Sequence, residues 1–267
     1  MNYTFATLLS SSSYIPGVLV LFRSLRKYGN TKFPFLCVCS RNISEKDTDI
    51  LEKEGISCKR LSKSALEDVK IPNTDNEYSH WNYTFDKLLL WNLVEYDKIV
   101  FLDSDMIVLD DIDDLFEKKA FSAVQAGYLQ NNSWVRLNSG LIVIEPNPEI
   151  CRQLIQQLPK TITQFTNKGR SVGDQDVIND FMPDWPEKND LHLPEGYNLF
   201  FKYLTSYHQI FNLEYRKDIK IIHFIGNKKP WHNTGLAYLV QLIRCAIKNP
   251  YGLKSYRMYH QLLNEND

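Results

Sequence analysis

At the start of the chain the apolar positions change period in a regular order. Tyr3 to Leu9 is apolar and rich in β-favouring residues, which predicts a strand. From Tyr14 to Tyr28 the residues Val18, Leu21, Phe22 and Leu25 recur at helical spacing, and Gly29 stands at the expected stop. Phe35 to Cys39 reads as a short buried strand. Ser44 to Glu54 is a polar helix with Ser44 as its N-cap, and Ile56 to Leu61 follows Gly55 as a third strand. Strand and helix alternating with short connections predict an α/β chain, with a mainly parallel sheet flanked by helices.

Ser62 to Tyr83 is polar and irregular, with Pro72 and Asn73, and reads as a surface excursion. Thr84 to Trp91 returns to helix, and Lys98 to Leu102 carries an apolar strand. Ile112 to Phe116 is a short helix, and Ala123 to Ala126 and Gly140 to Ile144 are strands. A helix capped by Asn147 runs to Leu158, and another covers Asp174 to Phe181. Lys220 to Phe224 is a late strand and Leu236 to Ile247 a late helix. No repeat or low-complexity tail interrupts this order, so one domain is expected over residues 1–267.

Composition narrows the classes. Hydrophobic residues make up 43% and charged residues 24%, as in ordinary globular proteins, and the net charge is −1. No basic excess points to nucleic acid, and no basic face for an anionic membrane stands out, so attraction for a phosphate must be local. The five cysteines, Cys37, Cys39, Cys58, Cys151 and Cys245, are odd in number and form no C-x-x-C pair. They predict reduced thiols, not a disulfide framework or a zinc knuckle. The first residues lack the basic start and apolar core of a signal peptide, and no run reaches transmembrane length. A cytoplasmic enzyme is expected, with the Asn-x-Ser/Thr matches at Asn2, Asn42, Asn82 and Asn131 accidental.

Candidate chemistry begins at the end of the central strand. Four apolar residues precede Asp103, which places this strand inside the sheet, and open α/β sheets bind ligands at such ends. Asp103 and Asp105 flank Ser104, and in an extended chain two residues so spaced share one face. Paired carboxylates repel unless a cation lies between them, and hard oxygen donors suit magnesium or manganese on phosphate. A loop or helix-capping aspartate pair is the plainer reading.

A second cluster spans Ile221 to Trp231. His223 lies on an apolar strand, Gly226 allows close backbone approach, and Lys228 and Lys229 add charge. Alone, His223 reads equally as a core histidine and the lysines as solvated. Together they form a diphosphate cradle whose nitrogen ligand favours manganese. Asn138-Ser139-Gly140 leads into a strand, and Gly173-Asp174-Gln175 opens a helix. Asp174 reads either as a carboxylate favoured by the helix dipole or as an acid aimed at a sugar.

These segments, in this order, resemble glycosyltransferase family 8, the family of glycogenin, from near residue 3 to about residue 232. Thr7-Leu8-Leu9-Ser10 with Tyr14 is similar to the family's uridine-binding start. Phe85 to Trp91, containing Lys87, is similar to its Thr-Lys-Leu-x-x-Trp helix. Phe101 to Val108 followed by Ile112 to Glu117 is similar to its Asp-x-Asp strand, and His223-Phe224-x-Gly226-x-x-Lys229-Pro230-Trp231 to its closing motif. The resemblance implies a GT-A (Rossmann-like) fold, manganese (or magnesium), a UDP-sugar donor and retention of anomeric configuration. It implies Asp103, Asp105 and His223 as metal ligands, with Leu8, Ser10, Tyr14, Ser104, Gly226 and Lys229 around the nucleotide. Lys87, Asn138, Ser139, Gly140, Asp174 and Gln175 would face the sugar, with Lys87, Asp174 and Gln175 catalytic. The implied partners are UDP-glucose or another UDP-hexose, a glycan or protein-tyrosine acceptor, and a second copy in a homodimer.

The pattern departs from glycogenin at three places. Ser171 stands where that protein has a further aspartate, Ser10 to Ser13 replaces Thr-Asn-Asp, and Tyr197 to Phe211 does not align, leaving Tyr203 and Tyr207 as acceptor candidates. Three other readings compete: a galactosyltransferase acting on an external glycan or small molecule, a non-catalytic sugar-nucleotide scaffold, and a haloacid-dehalogenase-like phosphatase. The last needs its aspartates early in the chain, whereas this pair is central.

Overall fold

A computed structural model describes residues 1–67, 69, 83–127, 129, 135–215 and 217–265. Pro72, Asn73, Asn82 and Asn131 fall outside the described residues. The elements run β1 (Tyr3–Leu9), α1 (Ile15–Lys27), β2 (Phe35–Cys39), α2 (Glu45–Lys53), β3 (Ser57–Arg60), β4 (Lys98–Leu102) and β5 (Met106–Val108). There follow β6 (Ala123–Ala126), β7 (Arg136–Leu137), β8 (Leu141–Ile144), α3 (Pro148–Thr166), α4 (Asp174–Phe181), β9 (His192–Leu193) and β10 (Leu199–Phe200). The chain continues through α5 (Leu204–Phe211), β11 (Ile221–His223), α6 (Gly235–Lys248) and α7 (Leu253–Leu263). Contacts divide it into two compact units, each drawn from separated stretches.

The first unit holds Met1–Ser12, Pro34–Leu102 and Leu115–Leu193. Its main sheet has the order β3-β2-β1-β4-β8, parallel except for the antiparallel β4–β8 pair. β4 is interior, as its apolar run predicts, with Ile99 to Leu102 fully buried. Ser44 caps α2 by accepting from the Asp47 amide at 3.2 Å, and the Asp47 carboxylate accepts from the Ser44 amide in return. A small sheet, β7-β6-β9, adds to this unit. Thr84–Asn92 is a 3₁₀ helix, not an α-helix. Phe85 to Trp91 are all buried, so protein surrounds the segment on every side and no one-sided 3.6-residue stripe exists to select the wider helix. Trp91 stacks on Phe121, whose carbonyl accepts from the Trp185 indole at 3.0 Å.

Helix α3 corrects the expected stop at Leu158 by continuing through Pro159 to Thr166. The buried stripe Cys151, Leu154, Leu158 and Ile162 crosses the proline, and Thr161 donates to Asp180 at 2.7 Å. Burying Ile162 and Phe165, roughly 1.5–3 kcal/mol for a fully buried side chain, offsets the ~3 kcal/mol an interior proline costs.

The second unit holds Ser13–Phe33, Asp103–Asp114 and Pro194–Asp267. Its sheet has the order β10-β11-β5, with β11 antiparallel to β5 and parallel to β10. Helix α1 is tied to β5 where Ser24 Oγ accepts from the Val108 amide at 3.0 Å. The pattern of apolar positions does not mark helices α5 and α7. In α7 the buried Ser255, Met258, Tyr259 and Leu262 carry a helical period diluted by tyrosines and a histidine. All five cysteines are free thiols. Among the described residues no helix is long and apolar enough to cross a membrane.

Candidate active site

The chain leaves β4 at Leu102 and enters β5 at Met106, so Asp103 to Asp105 form a connection with a turn at Ser104 and Asp105. This corrects the extended arrangement expected for the two aspartates. They converge through the turn, not through strand alternation. Pairing of β5 with β11 sets Met106 opposite His223, and the Phe224 amide donates to the Asp105 carbonyl at 2.9 Å. Long-range sheet register therefore delivers His223 to the acidic turn. Its Nε2 lies 3.0 Å from Asp105 Oδ1 and 3.8 Å from Asp103 Oδ2. The ligand atoms of Asp103, Asp105 and His223 all lie within 4.8 Å of one another.

Two neighbours tune this cluster. His223 Nδ1 lies 3.0 Å from Asn198 Oδ1, a contact that orients the ring so that Nε2 points at the carboxylates. Gly226 holds a φ of +98°, a conformation side chains disfavour, in the turn that returns Lys229. The Lys229 ammonium bonds Asp105 Oδ2 and donates to the Phe224 carbonyl at 3.1 Å. It also lies 5.7 Å from the centre of the Tyr14 ring. Burial alone would raise the Asp105 carboxyl, but His223 and Lys229 outweigh it and hold the group well below its ordinary value. Two carboxylates and an imidazole nitrogen converge beside the Lys229 ammonium, a set of donors of the kind that holds a cation. An O, O, N donor set with a fixed imidazole suits manganese or magnesium, with nitrogen favouring manganese.

Helix α1 closes on the same turn at Gly17, where an added Cβ would lie 2.5 Å from the Ser104 carbonyl oxygen and 3.0 Å from the Trp231 ring. Helix propensity favours alanine by ~1 kcal/mol, whereas forcing a methyl into packed backbone costs about 1–3 kcal/mol. Because the clash at 2.5 Å is with backbone, the cost lies at the upper end of that range, and Gly17→Ala is expected to lower stability by about 2 kcal/mol in urea denaturation, the net of those two effects. Unchanged or increased stability would show that α1 does not need this close approach.

The second group lies in the first unit. Lys87 Nζ is 2.8 Å from Asp174 Oδ2, with both side chains largely buried. Ser139 Oγ donates to the same oxygen at 2.7 Å, and the Ser139 amide donates to Gln175 Oε1 at 3.2 Å. Asn138 Oδ1 accepts from the Gly140 amide at 2.9 Å and so fixes the turn carrying Ser139. Asn179 holds α4 to β7 by accepting from the Leu137 amide and donating to the Leu137 carbonyl. The Lys87 ammonium also rests 4.7 Å from the Phe101 ring centre.

The other expected residues stand elsewhere. Leu8 is buried in the first unit's core. Ser10 follows β1, and its carbonyl accepts from Asn42 at 3.0 Å. Lys228 is exposed while Lys229 is buried. Tyr207 is 4% exposed and stacked on Phe211, whereas Tyr203 is half-buried. Sequence reasoning missed Gly17, Asn198 and Asn179. Only Gly17, a glycine early in a helix, carried a local signal.

The model of glycosyl transferase family 8 matches residues 6–235, and the chain belongs to that family. It is similar to glycogenin-1 of Caenorhabditis elegans, 34% identical over 249 residues, covering 89% of this chain and 53% of the worm protein. It is also similar to glycogenin-1 of Homo sapiens, 31% identical over 241 residues, covering 87% of this chain and 63% of the human protein. The chain thus spans between half and two thirds of these curated relatives. The solved structure of the galactosyltransferase LgtC, in complex with donor and acceptor sugar analogs, superposes with a TM-score of 0.63 at 17% identity. That match covers 98% of this chain and 95% of LgtC. The fold is GT-A, and the phosphatase reading falls with it.

Proposed function

We propose that the chain, as one catalytic domain, transfers a hexose from a UDP-sugar to an acceptor hydroxyl with retention of configuration and with manganese bound. The observation that carries this reading is the convergence of Asp103, Asp105 and a His223 ring held by Asn198, in a family-8 chain. Those three residues would hold the metal, which supplies Lewis-acid stabilisation of the leaving diphosphate. Lys229 would add a fixed positive charge as the bond from C1 to phosphate oxygen breaks. Tyr14 would offer a ring face to the base, with Leu8 and Ser10 at the nucleotide end. Asp174, paired with Lys87 and oriented by Ser139, would face the cationic C1, and Gln175 would fix the sugar. The acceptor oxygen then bonds C1, and its proton leaves with the departing UDP.

Glucose is the donor sugar we favour. An external glycan or small-molecule acceptor is the second reading, favoured by the burial of Tyr207. Tyr203 is then the remaining candidate for self-glycosylation. UDP release should be followed with UDP-glucose and UDP-galactose, with manganese, magnesium or chelator. Intact mass of the protein should be measured in parallel. Release that requires metal is expected. A hexose mass gain, lost in Tyr203→Phe, would assign self-modification, and release without mass gain an external acceptor. Tight UDP-sugar binding without any turnover would sink the catalytic reading and leave a scaffold.

A further inference from the structure

Helix α6 carries apolar residues on opposite sides. Tyr238 and Cys245 face inward: Tyr238 stacks on Tyr256 with ring centres 5.9 Å apart, and Cys245 is buried. Leu236, Val240, Ile243 and Ile247 recur at three- and four-residue spacing on the side opposite these, and are 76%, 40%, 61% and 73% exposed. A helix apolar all round normally lies within protein or lipid, and an exposed stripe of this kind marks an interaction surface.

The charge around it identifies the partner. From Ile219 to Asn264 the sequence contains seven Lys or Arg and no Asp or Glu, while the rest of the chain is net acidic; Lys220 and Lys229 pair with Asp110 and Asp105, which leaves Lys228, Arg244, Lys248, Lys254 and Arg257 as the exposed basic residues of this stretch. The overall balance of −1 conceals this segregation. Arg244 and Lys248 are exposed on α6 beside the apolar stripe, and Lys254 and Arg257 are exposed on α7. We infer that the outer face of α6 docks on an anionic lipid bilayer, the stripe entering the boundary between headgroups and acyl chains and the basic side chains meeting lipid phosphates and carboxylates. At fourteen residues α6 is about 21 Å long, too short to span a hydrocarbon core of ~30 Å, so it lies in the plane of the surface. A second copy of the chain fits less well. A two-fold interface on α6 would bring Arg244 and Lys248 of both copies together, and this region has no acidic residue to neutralise them.

Flotation of the purified chain with vesicles tests the inference. Binding is expected to vesicles containing about one third phosphatidylserine, to fall steeply with salt, and to be weak on phosphatidylcholine alone. Ile243→Asp/Ile247→Asp should reduce partitioning about tenfold or more, with the melting temperature unchanged because both positions are exposed. Arg244→Gln/Lys248→Gln should weaken binding and flatten its salt dependence. No vesicle binding by the wild type, or binding indifferent to both variants, would overturn the inference. So would a dimer in sedimentation that Ile243→Asp/Ile247→Asp converts to monomer, which would assign the face to a second copy.

Discussion

Asp105→Asn is expected to lower metal-dependent turnover by about a thousandfold, because it removes a carboxylate proposed to hold the metal where charge develops in the transition state. Asparagine keeps the shape that Lys229 and His223 pack against, which alanine does not. Asp105→Ala would also leave the buried Lys229 ammonium without its carboxylate, and breaking such a pair costs about 3–5 kcal/mol. Asparagine also removes the charge that pairs with Lys229, but it keeps a carbonyl oxygen to accept from the ammonium, so a smaller stability loss is expected, and a chemical denaturation curve should confirm that the fold persists. His223→Ala provides a graded companion. It should shift the manganese titration to higher concentration while the carboxylates still bind. Normal turnover and an unaltered manganese titration in Asp105→Asn would remove the metal assignment, whatever happens at His223.

The second large effect is expected at the Lys87–Asp174 pair. Asp174→Asn should reduce kcat by roughly a hundred- to a thousandfold with little change in donor KM, since the carboxylate is proposed to act on charge that appears only in the transition state. Lys87 and Ser139 share Asp174 Oδ2, so either could hold the carboxylate in place. Lys87→Ala should also lower kcat, with an added stability loss because Asp174 stays buried without its cation. The combination Lys87→Met/Asp174→Asn should recover that stability but not the activity. A parallel rise of KM with kcat unchanged would make the pair a ground-state binding element. Unchanged kinetics with reduced stability would make it purely structural.

Several parts of this protein follow from sequence alone. β1, β2, β4, β6 and α4 lie at the residues their patterns mark, because period, caps and flanking glycines act within a few positions. The interior place of β4, and hence acidic residues at its end, follows from its apolar run. The Ser44 capping box and the Asn147 cap are equally local.

Tertiary structure decided the rest. The convergence of Asp103 and Asp105 depends on a turn between two strands, and the arrival of His223 depends on the register of β11 against β5. Nothing in the pattern around Asn198 reveals a partner for His223, and nothing near Lys87 reveals Asp174. Helix α3 passes Pro159 because the surface buried beyond it outweighs a local penalty. Local patterns record which face of an element is buried. They do not record which distant element covers that face, and the polar groups of this site meet only through such pairings.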